Sequence, residues 1–270
     1  NAVLGQKLAI VTSRPQTTRN RIMGIKNLPR AQVVFLDTPG IHKPLHGLGS
    51  HMVKEARQAI HDVDAVLYMV EPKPPGGEDL SILRTLEQEK KPVVLIVNKL
   101  DTVKKPELLP VMQAYGEAFD FHDIVPVSAR KKDGLEAVLE VILGLLPEGP
   151  RMFPEDMITD SAERFIVAEI VREKAMAATS KEVPHAVAVE VKKWEENKKL
   201  IRISVDIYVE KDGQKGIIIG KRGLMLKEIG SLARRDIERM LGTEVFLELF
   251  VKVVPDWRRK KSVLTDLGYR

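Results

Sequence analysis

Apolar residues in this chain come in two rhythms. The first is a set of short, nearly unbroken runs closed by turn residues, at 33–36, 65–70, 92–97 and 124–127. Runs of this length, rich in β-branched side chains, read as strands, and the fully apolar run at 92–97 suits a strand covered on both faces. Residues 50–61, 78–89, 107–119 and 134–146 read as the helices that alternate with them. Alternation of strand and helix predicts a doubly wound, mostly parallel α/β sheet. At its front, residues 21–26 and 32–37 read as two strands joined by a turn at 27–30. That connection is too short for a parallel crossover, so the two should pair antiparallel. Residues 1–4 read as the last turn of a helix capped by Gly5, and residues 11–19 as a polar, threonine-rich loop.

The second rhythm begins after a linker. Residues 146–156 hold Pro147, Pro150 and Pro154, which end the preceding helix and stiffen the connection. Residues 161–179 then read as an amphipathic helix, with Phe165, Ile166, Ile170 and Val171 near helical spacing. Apolar–polar alternation marks strands at 186–191, 201–209 and 243–254, the last through Val245, Leu247, Leu249 and Val251. A helix is expected at 224–241. The expected organisation is one α/β domain over 1–147, a linker over 148–158 and a smaller α+β domain over 159–270.

Composition narrows the setting. The chain has 270 residues, 44% hydrophobic and 30% charged, which suits a soluble chain with real cores. Cysteine is absent, so disulfides and thiolate metal sites are excluded and a reducing, intracellular setting is expected. No apolar run has the length needed to span a bilayer, and the start does not read as a signal peptide. The net charge is +5, of which +4 lies beyond Pro150. A mild basic excess in the second half permits a nucleic-acid partner.

Polar signatures sit at the carboxyl ends of three strands, where open α/β sheets bind ligands. Asp37-Thr38-Pro39-Gly40 follows the first run, Asn98-Lys99-Leu100-Asp101 the third and Ser128-Ala129 the fourth. An aspartate there suits a hydrated Mg²⁺, and a glycine N–H can approach a terminal phosphate closely. The Asp101 carboxylate can accept two hydrogen bonds from N1–H and the 2-amino group of guanine, which adenine cannot supply. Asn98 can fix the loop and bond the base edge, while the stem of Lys99 covers a face of the base. In the second half, Gly216-Ile217-Ile218-Ile219 runs into Gly220-Lys221-Arg222-Gly223 at a helix junction. Two glycines bring the backbone flush against a sugar-phosphate chain, two basic residues neutralise phosphates, and the neighbouring apolar groove accepts unstacked bases. Lys215, Lys227, Arg234 and Arg235 extend the positive surface. Trp257 and the basic run 258–261 read first as a C-terminal helix packed on its domain, and second as further RNA contact.

Taken together, the first half resembles a translational GTPase-type G domain, a P-loop-NTPase-type fold, and most closely that of the Era family. Pro15-Gln16-Thr17-Thr18-Arg19 is similar to switch I and Asp37-Thr38-Pro39-Gly40 to switch II, with Ile41 at the apolar position that follows. Asn98, Lys99, Asp101, Ser128 and Ala129 match the base-recognition motifs. The second half resembles a type II KH domain, with Ile219, Gly220, Lys221, Arg222, Gly223 and Lys227 as its RNA-binding residues. The resemblance implies a GTP-hydrolysing, RNA-binding factor for maturation of the small (30S) ribosomal subunit. In it, the KH domain would take the 3′ end of the small-subunit ribosomal RNA under control of GTP and GDP. It implies Mg²⁺ reached by one of Thr17 and Thr18, with Thr18 favoured, and, through water, by Asp37. A cytoplasmic monomer is expected, with the peripheral contact at the inner face of the cell membrane that the family shows. No side chain stands out as a catalytic base. The sequence departs from the family in one respect: G-x-x-x-x-G-K-[ST] does not occur in it, nor does the strand that carries that loop. Because Asn1 falls within a helical turn, truncation ahead of it is the expected cause, and feeble GTP binding without turnover is expected of these 270 residues. The competing reading is a KH-type RNA-binding module whose G domain is degenerate.

Overall fold

The structure, a computed structural model, describes every residue except Ser13, Pro15, His42, Lys43, Leu45, Lys198 and Arg270. It divides into two compact units. The first comprises Asn1–Lys7, Met23–Leu36 and Lys54–Thr159, the second Leu8–Ile22, Asp37–Val53 and Asp160–Arg270.

The first unit is built on five strands. β1 (Ile22–Leu28) and β2 (Ala31–Asp37) form a two-stranded sheet across the turn at Pro29 and Arg30. β3 (Val66–Val70), β4 (Val93–Val97) and β5 (Asp123–Pro126) form a parallel sheet in that order, with Val66 opposite Val93 and Val94 opposite Asp123. The helices are α1 (Gly47–Asp62), of which only the part from Lys54 belongs to this unit, α2 (Gly77–Glu89), α3 (Lys105–Ala118) and α4 (Leu135–Leu145). All five residues of β4 are buried, as a central strand covered on both faces requires. Among the described residues the β1–β2 pair is not hydrogen-bonded into the parallel sheet. It is joined through side chains instead: Val33 of β2 packs with Val94, Ile96, Val125, Val127, Val138 and Ile142.

The proline-rich segment is tied down rather than loose. Gln32 Oε1 accepts from the backbone N–H groups of Met152 and Phe153, both at 2.9 Å, and its amide donates to Phe153 O. Asn27 Nδ2 donates to Glu155 O, and Ile25 N–H to Ile158 O at 2.8 Å. Residues 152–158 thus run beside the β1–β2 pair as a strap with a turn in it, closed by Met157 N–H donating to Pro154 O at 3.1 Å.

The second unit contains α5 (Glu163–Ala177), α6 (Val183–Ala186), β6 (Ala188–Asn197), β7 (Leu200–Val209), α7 (Asp212–Ile219), α8 (Leu224–Leu241), β8 (Glu244–Val253) and α9 (Lys261–Asp266). The sheet order is β6-β7-β8, antiparallel then parallel. The order helix, strand, strand, short helix, Gly-Lys-Arg-Gly, helix, strand is the one the sequence predicts. Trp257 is fully buried, and its indole N–H donates to Ala186 O at 2.9 Å. It packs with Leu48, Met52, Tyr208 and Leu264, which fits the packing reading of the tail. The amphipathic expectation for 161–179 needs correction. Residues 166–173 of α5 are buried continuously, including Glu169, Arg172 and Glu173. Charged residues persist there because they are paired: Arg172 Nε donates to Glu169 Oε1 at 2.7 Å, and Arg172 Nη2 to Thr17 O at 2.6 Å.

Candidate functional site

The base-recognition residues lie together in the first unit. β3, β4 and β5 end in register at Val70, Val97 and Pro126, so the loops that follow them emerge side by side. Asn98 N–H donates to Val70 O, and Leu100 N–H to Val127 O. Asn98 Oδ1 accepts from Lys99 N–H at 2.7 Å and from Ala129 N–H at 3.1 Å, stitching the second and third signatures together. Its Nδ2 points the other way, toward Met69 Sδ. Ser128 Oγ donates to Asp101 Oδ1 at 2.6 Å, and this hydrogen bond, first among the causes, holds the Asp101 carboxyl below its ordinary range. An oriented, fully ionised carboxylate with remaining lone pairs is what bidentate reading of guanine needs. Lys99 takes a left-handed backbone and sends its ammonium to Glu71, so its stem is stretched along the loop.

Sequence reasoning missed Gly134 in this region. With φ at +77°, a Cβ there would lie 2.5 Å from Pro126 O. Only glycine lets α4 start against the end of β5, which places Ser128 and Ala129. The signal was present as a glycine directly ahead of an apolar helical run.

The switch signatures belong to the second unit. Pro15 lies outside the described residues. Thr18 Oγ1 donates to Asp37 Oδ2 at 3.3 Å, whereas the Thr17 hydroxyl turns inward to Arg14 O at 2.7 Å and Thr12 Oγ1 at 2.6 Å. Asp37 keeps a solvent-accessible face, but the protein crowding its other sides raises its carboxyl above the ordinary value. The Thr18 hydrogen bond works against that shift. Thr38 and Ile41 are half-buried and Pro39 is buried. Gly40 is exposed, and nothing lies within 4 Å of where its Cβ would be. Among the described residues no group of three or more His, Asp or Glu is placed to hold a metal. A cation at Asp37 and Thr18 would therefore complete its shell with water and phosphate, as Mg²⁺ does.

Next to Thr18, Arg19 is 3% exposed. Its guanidinium donates from Nη1 to Val187 O at 2.6 Å and from Nη2 to His185 O at 3.1 Å, and it stands 5.8 Å from the Trp257 ring centroid. Burial lowers its pKa. Val11 N–H donates to Glu173 and Arg14 to Thr179 O. Val11, Arg14 and Arg19 are thus held by Glu173 of α5, by Thr179 just past it, by His185 and Val187 ahead of β6, and by Trp257 of the C-terminal tail. Sequence reasoning did not foresee these clamps.

At the other end of the second unit, Gly220 has φ +71° and Gly223 φ +77°, while Arg222 itself sits at φ +53°. A Cβ on Gly220 would fall 2.6 Å from Met225 Cβ. The turn therefore presses against the first turn of α8, and Lys221 and Arg222 are left exposed at the junction. Ile219, half-buried, closes α7 before it. A groove of about 440 Å³ follows, lined by Gly223 of the turn, by Leu226, Lys227, Gly230 and Arg234 of α8 and by Phe246 and Leu249 of β8. At its floor Gly230 lets α8 close on Leu249, 3.3 Å from the would-be Cβ. A basic glycine turn leading into an apolar groove is suited to a phosphate chain and unstacked bases.

Comparison with known proteins agrees with this geometry. Residues 1–99 match the family described as 50S ribosome-binding GTPase, and residues 182–258 match the KH domain family. The chain is 48% identical over 272 residues to GTPase Era of Ruminiclostridium cellulolyticum, covering all of this chain and 91% of that protein. The same figures hold for GTPase Era of Geobacter metallireducens. Among solved structures it superposes with a TM-score of 0.97 and 41% identity on Era in complex with MgGDPNP and nucleotides 1506–1542 of 16S ribosomal RNA. All of this chain and 92% of that one are covered. An Aquifex aeolicus Era variant bound to GDP.AlF4- gives the same TM-score and identity, with 93% of that chain covered. Full-length identity of this order, with both domain families in the same order, means that the chain belongs to the Era family of GTPases.

Proposed function

We propose that this protein is a GTP-controlled RNA-binding factor of small ribosomal subunit biogenesis, with the 3′ end of 16S ribosomal RNA as the ligand of its Gly-Lys-Arg-Gly groove. Asn98, Lys99, Asp101, Ser128 and Ala129 recognise guanine. Thr18 and Asp37 take Mg²⁺, and Thr38, Pro39, Gly40 and Ile41 face the terminal phosphate. The cation supplies charge neutralisation for phosphoryl transfer. Ile219, Gly220, Lys221, Arg222, Gly223 and Lys227 hold the RNA. A 1–147 G domain, a 148–158 linker and a 159–270 KH domain remain the organisation that suits these roles, with a monomer as the working form. Peripheral membrane contact is carried by the family likeness; among the described residues no helix is long and apolar enough to cross a membrane.

One observation supports control of RNA binding by nucleotide above all. Three consecutive residues face both ways: Thr18 bonds Asp37, while Thr17 O and the Arg19 side chain are bonded by Arg172 of α5 and to Val187 and His185 ahead of β6. Drawing Thr18 toward a γ-phosphate strains those clamps, and releasing it restores them, which makes the loop a two-state element. The strap at residues 152–158 is hydrogen-bonded to the β1–β2 pair, so the clamps rather than the prolines are the natural point of transmission. The direct test compares GTP hydrolysis by these 270 residues alone and with a phosphate-loop segment of the family joined ahead of Asn1. Turnover with that segment and feeble binding without it are expected. Micromolar or tighter GTP binding by these 270 residues alone contradicts the role given to the phosphate loop, and no turnover with the segment favours the RNA-binding module with a degenerate G domain.

A further inference from the structure

The chain leaves β8 beside the end of β7, where Val254 N–H donates to Val209 O at 2.8 Å. Shortly after, Arg258 bridges two elements of the second unit. Its carbonyl accepts from Leu48 N–H at 3.0 Å, one of the backbone donors left over at the start of α1. Gly47 lets that helix begin flush against the tail, because a Cβ there would lie 3.2 Å from Arg258 O. The guanidinium turns the other way. Arg258 Nη2 donates to Glu210 Oε2 at 2.5 Å, and the Glu210 side chain is 9% exposed. Burial pushes the Glu210 carboxyl up, but the hydrogen bond and charge of Arg258 outweigh it and hold the carboxyl below its ordinary range. Glu210 leads into α7. Gln214 Oε1 accepts from the N–H groups of Glu210 and Lys211 at 2.9 and 3.1 Å and so caps that helix. α7 ends at Ile219, directly before the Gly-Lys-Arg-Gly turn. One detail separates this joint from ordinary packing: Arg258 Nε is buried with no acceptor among the described residues. A buried N–H without a partner costs free energy, so the joint has a bond to gain when either neighbour moves.

We infer that Arg258 is a positioning residue that couples the start of α1, just past the proposed switch residues 37–40, to α7 and the basic turn that α7 carries. The inference rests on the RNA-binding reading given above. It adds a route from the second switch segment to the one that Arg19 makes from the first. The two ends of one residue carry the argument. A shift of α1 that moves the Arg258 backbone carries the guanidinium with it, and through Glu210 it reaches the capped start of α7. Linkage makes such a route reciprocal, so RNA held at the turn is felt at Leu48 N–H. Arg258 is not among the residues that line the groove, so it acts on RNA only through these neighbours.

The test needs no nucleotide. It uses the 270-residue chain and an RNA spanning nucleotides 1506–1542 of 16S ribosomal RNA. Deuterium exchange of the Leu48 amide is followed by NMR without RNA and at saturating RNA. Saturating RNA should slow that exchange about fivefold or more, which is the low end of coupling between sites. Arg258→Ala keeps the carbonyl that Leu48 bonds but loses the guanidinium, and should bring the ratio to within about twofold of unity. Glu210→Ala cuts the same link from the α7 side and should do likewise. Arg258→Lys keeps the charge and should retain the response. Loss of packing alone would change the melting temperature and the exchange rate of the free protein, but would leave the RNA-dependent ratio in place. The inference is overturned if RNA leaves Leu48 exchange unchanged in the parent, if either alanine variant keeps the parent's ratio, or if Arg258→Lys loses it as fully as Arg258→Ala. Failure of the RNA to bind the parent sinks the RNA-binding reading itself, and this inference with it.

Discussion

Asp37 shows how a single residue can be placed for chemistry at a cost to stability. Its carboxyl is raised from an ordinary value of 3.8 because folding removes water from the anion. The sign follows directly. Below about pH 3 the group is protonated in both folded and unfolded chains, and no penalty exists. As pH rises between the unfolded value and the raised folded value, the native state holds the proton more tightly and stability falls. Above that window the penalty is constant. Asp37→Asn should therefore raise the melting temperature at neutral pH, with the gain fading toward pH 3. An unchanged melting temperature at pH 7 would show that Asp37 is not strained. Gly220 makes the opposite case. Its φ of +71° and the 2.6 Å approach to Met225 Cβ leave no room for a methyl group. Gly220→Ala should cost about 1–3 kcal/mol and lower RNA affinity, because the backbone must rotate Lys221 and Arg222 off the groove entrance. Both residues were legible in the sequence, since an aspartate at a strand end and a glycine between an apolar helix and two cations each have few physical explanations. Gly134 was legible in principle but carried no motif.

At the scale of elements, most strands and helices followed the apolar rhythm, and α8 begins and ends where its pattern does, while β6 runs on to Asn197, past the expected 186–191. What the rhythm did not convey was the burial of α5. Apolar spacing picked out Ile166, Ile170 and Val171, yet Glu169, Arg172 and Glu173 are buried with them. The spacing i, i+3, i+4 of those charges was the available signal, because such side chains can pair on one helix face and enter a core together. It stayed ambiguous because an exposed helix shows the same pattern. A buried pair is costly to break. Arg172→Ala should destabilise the chain by about 3–5 kcal/mol in a denaturant titration, since Glu169 is left buried without its partner. Replacing both residues by methionine should recover most of that loss. A loss as large in the double variant would mean that the Arg172–Thr17 contact, not the ion pair, dominates. That β1–β2 is not hydrogen-bonded to β3–β4–β5 among the described residues was likewise hidden, because strand pairing is a property of partners and not of the strand's own residues.

At the scale of the molecule, the sequence placed a guanine-reading half and an RNA-binding half in order, but left their coupling to a proline linker. The structure groups residues 8–22 and 37–53, which hold the proposed switch segments, in the same compact unit as the KH fold. No local pattern could have revealed that grouping, which depends on contacts spanning more than 150 residues, such as Arg19 with Val187. The measurement that bears most directly on the account is RNA affinity in the GTP-analogue and GDP states, compared between the protein with a phosphate-loop segment joined ahead of Asn1 and its Arg19→Ala variant. The account predicts an affinity difference between nucleotide states in the parent, and its collapse to within about twofold in Arg19→Ala with nucleotide binding retained. An undiminished difference in Arg19→Ala, or equal RNA affinity in the two states of the parent, would contradict it.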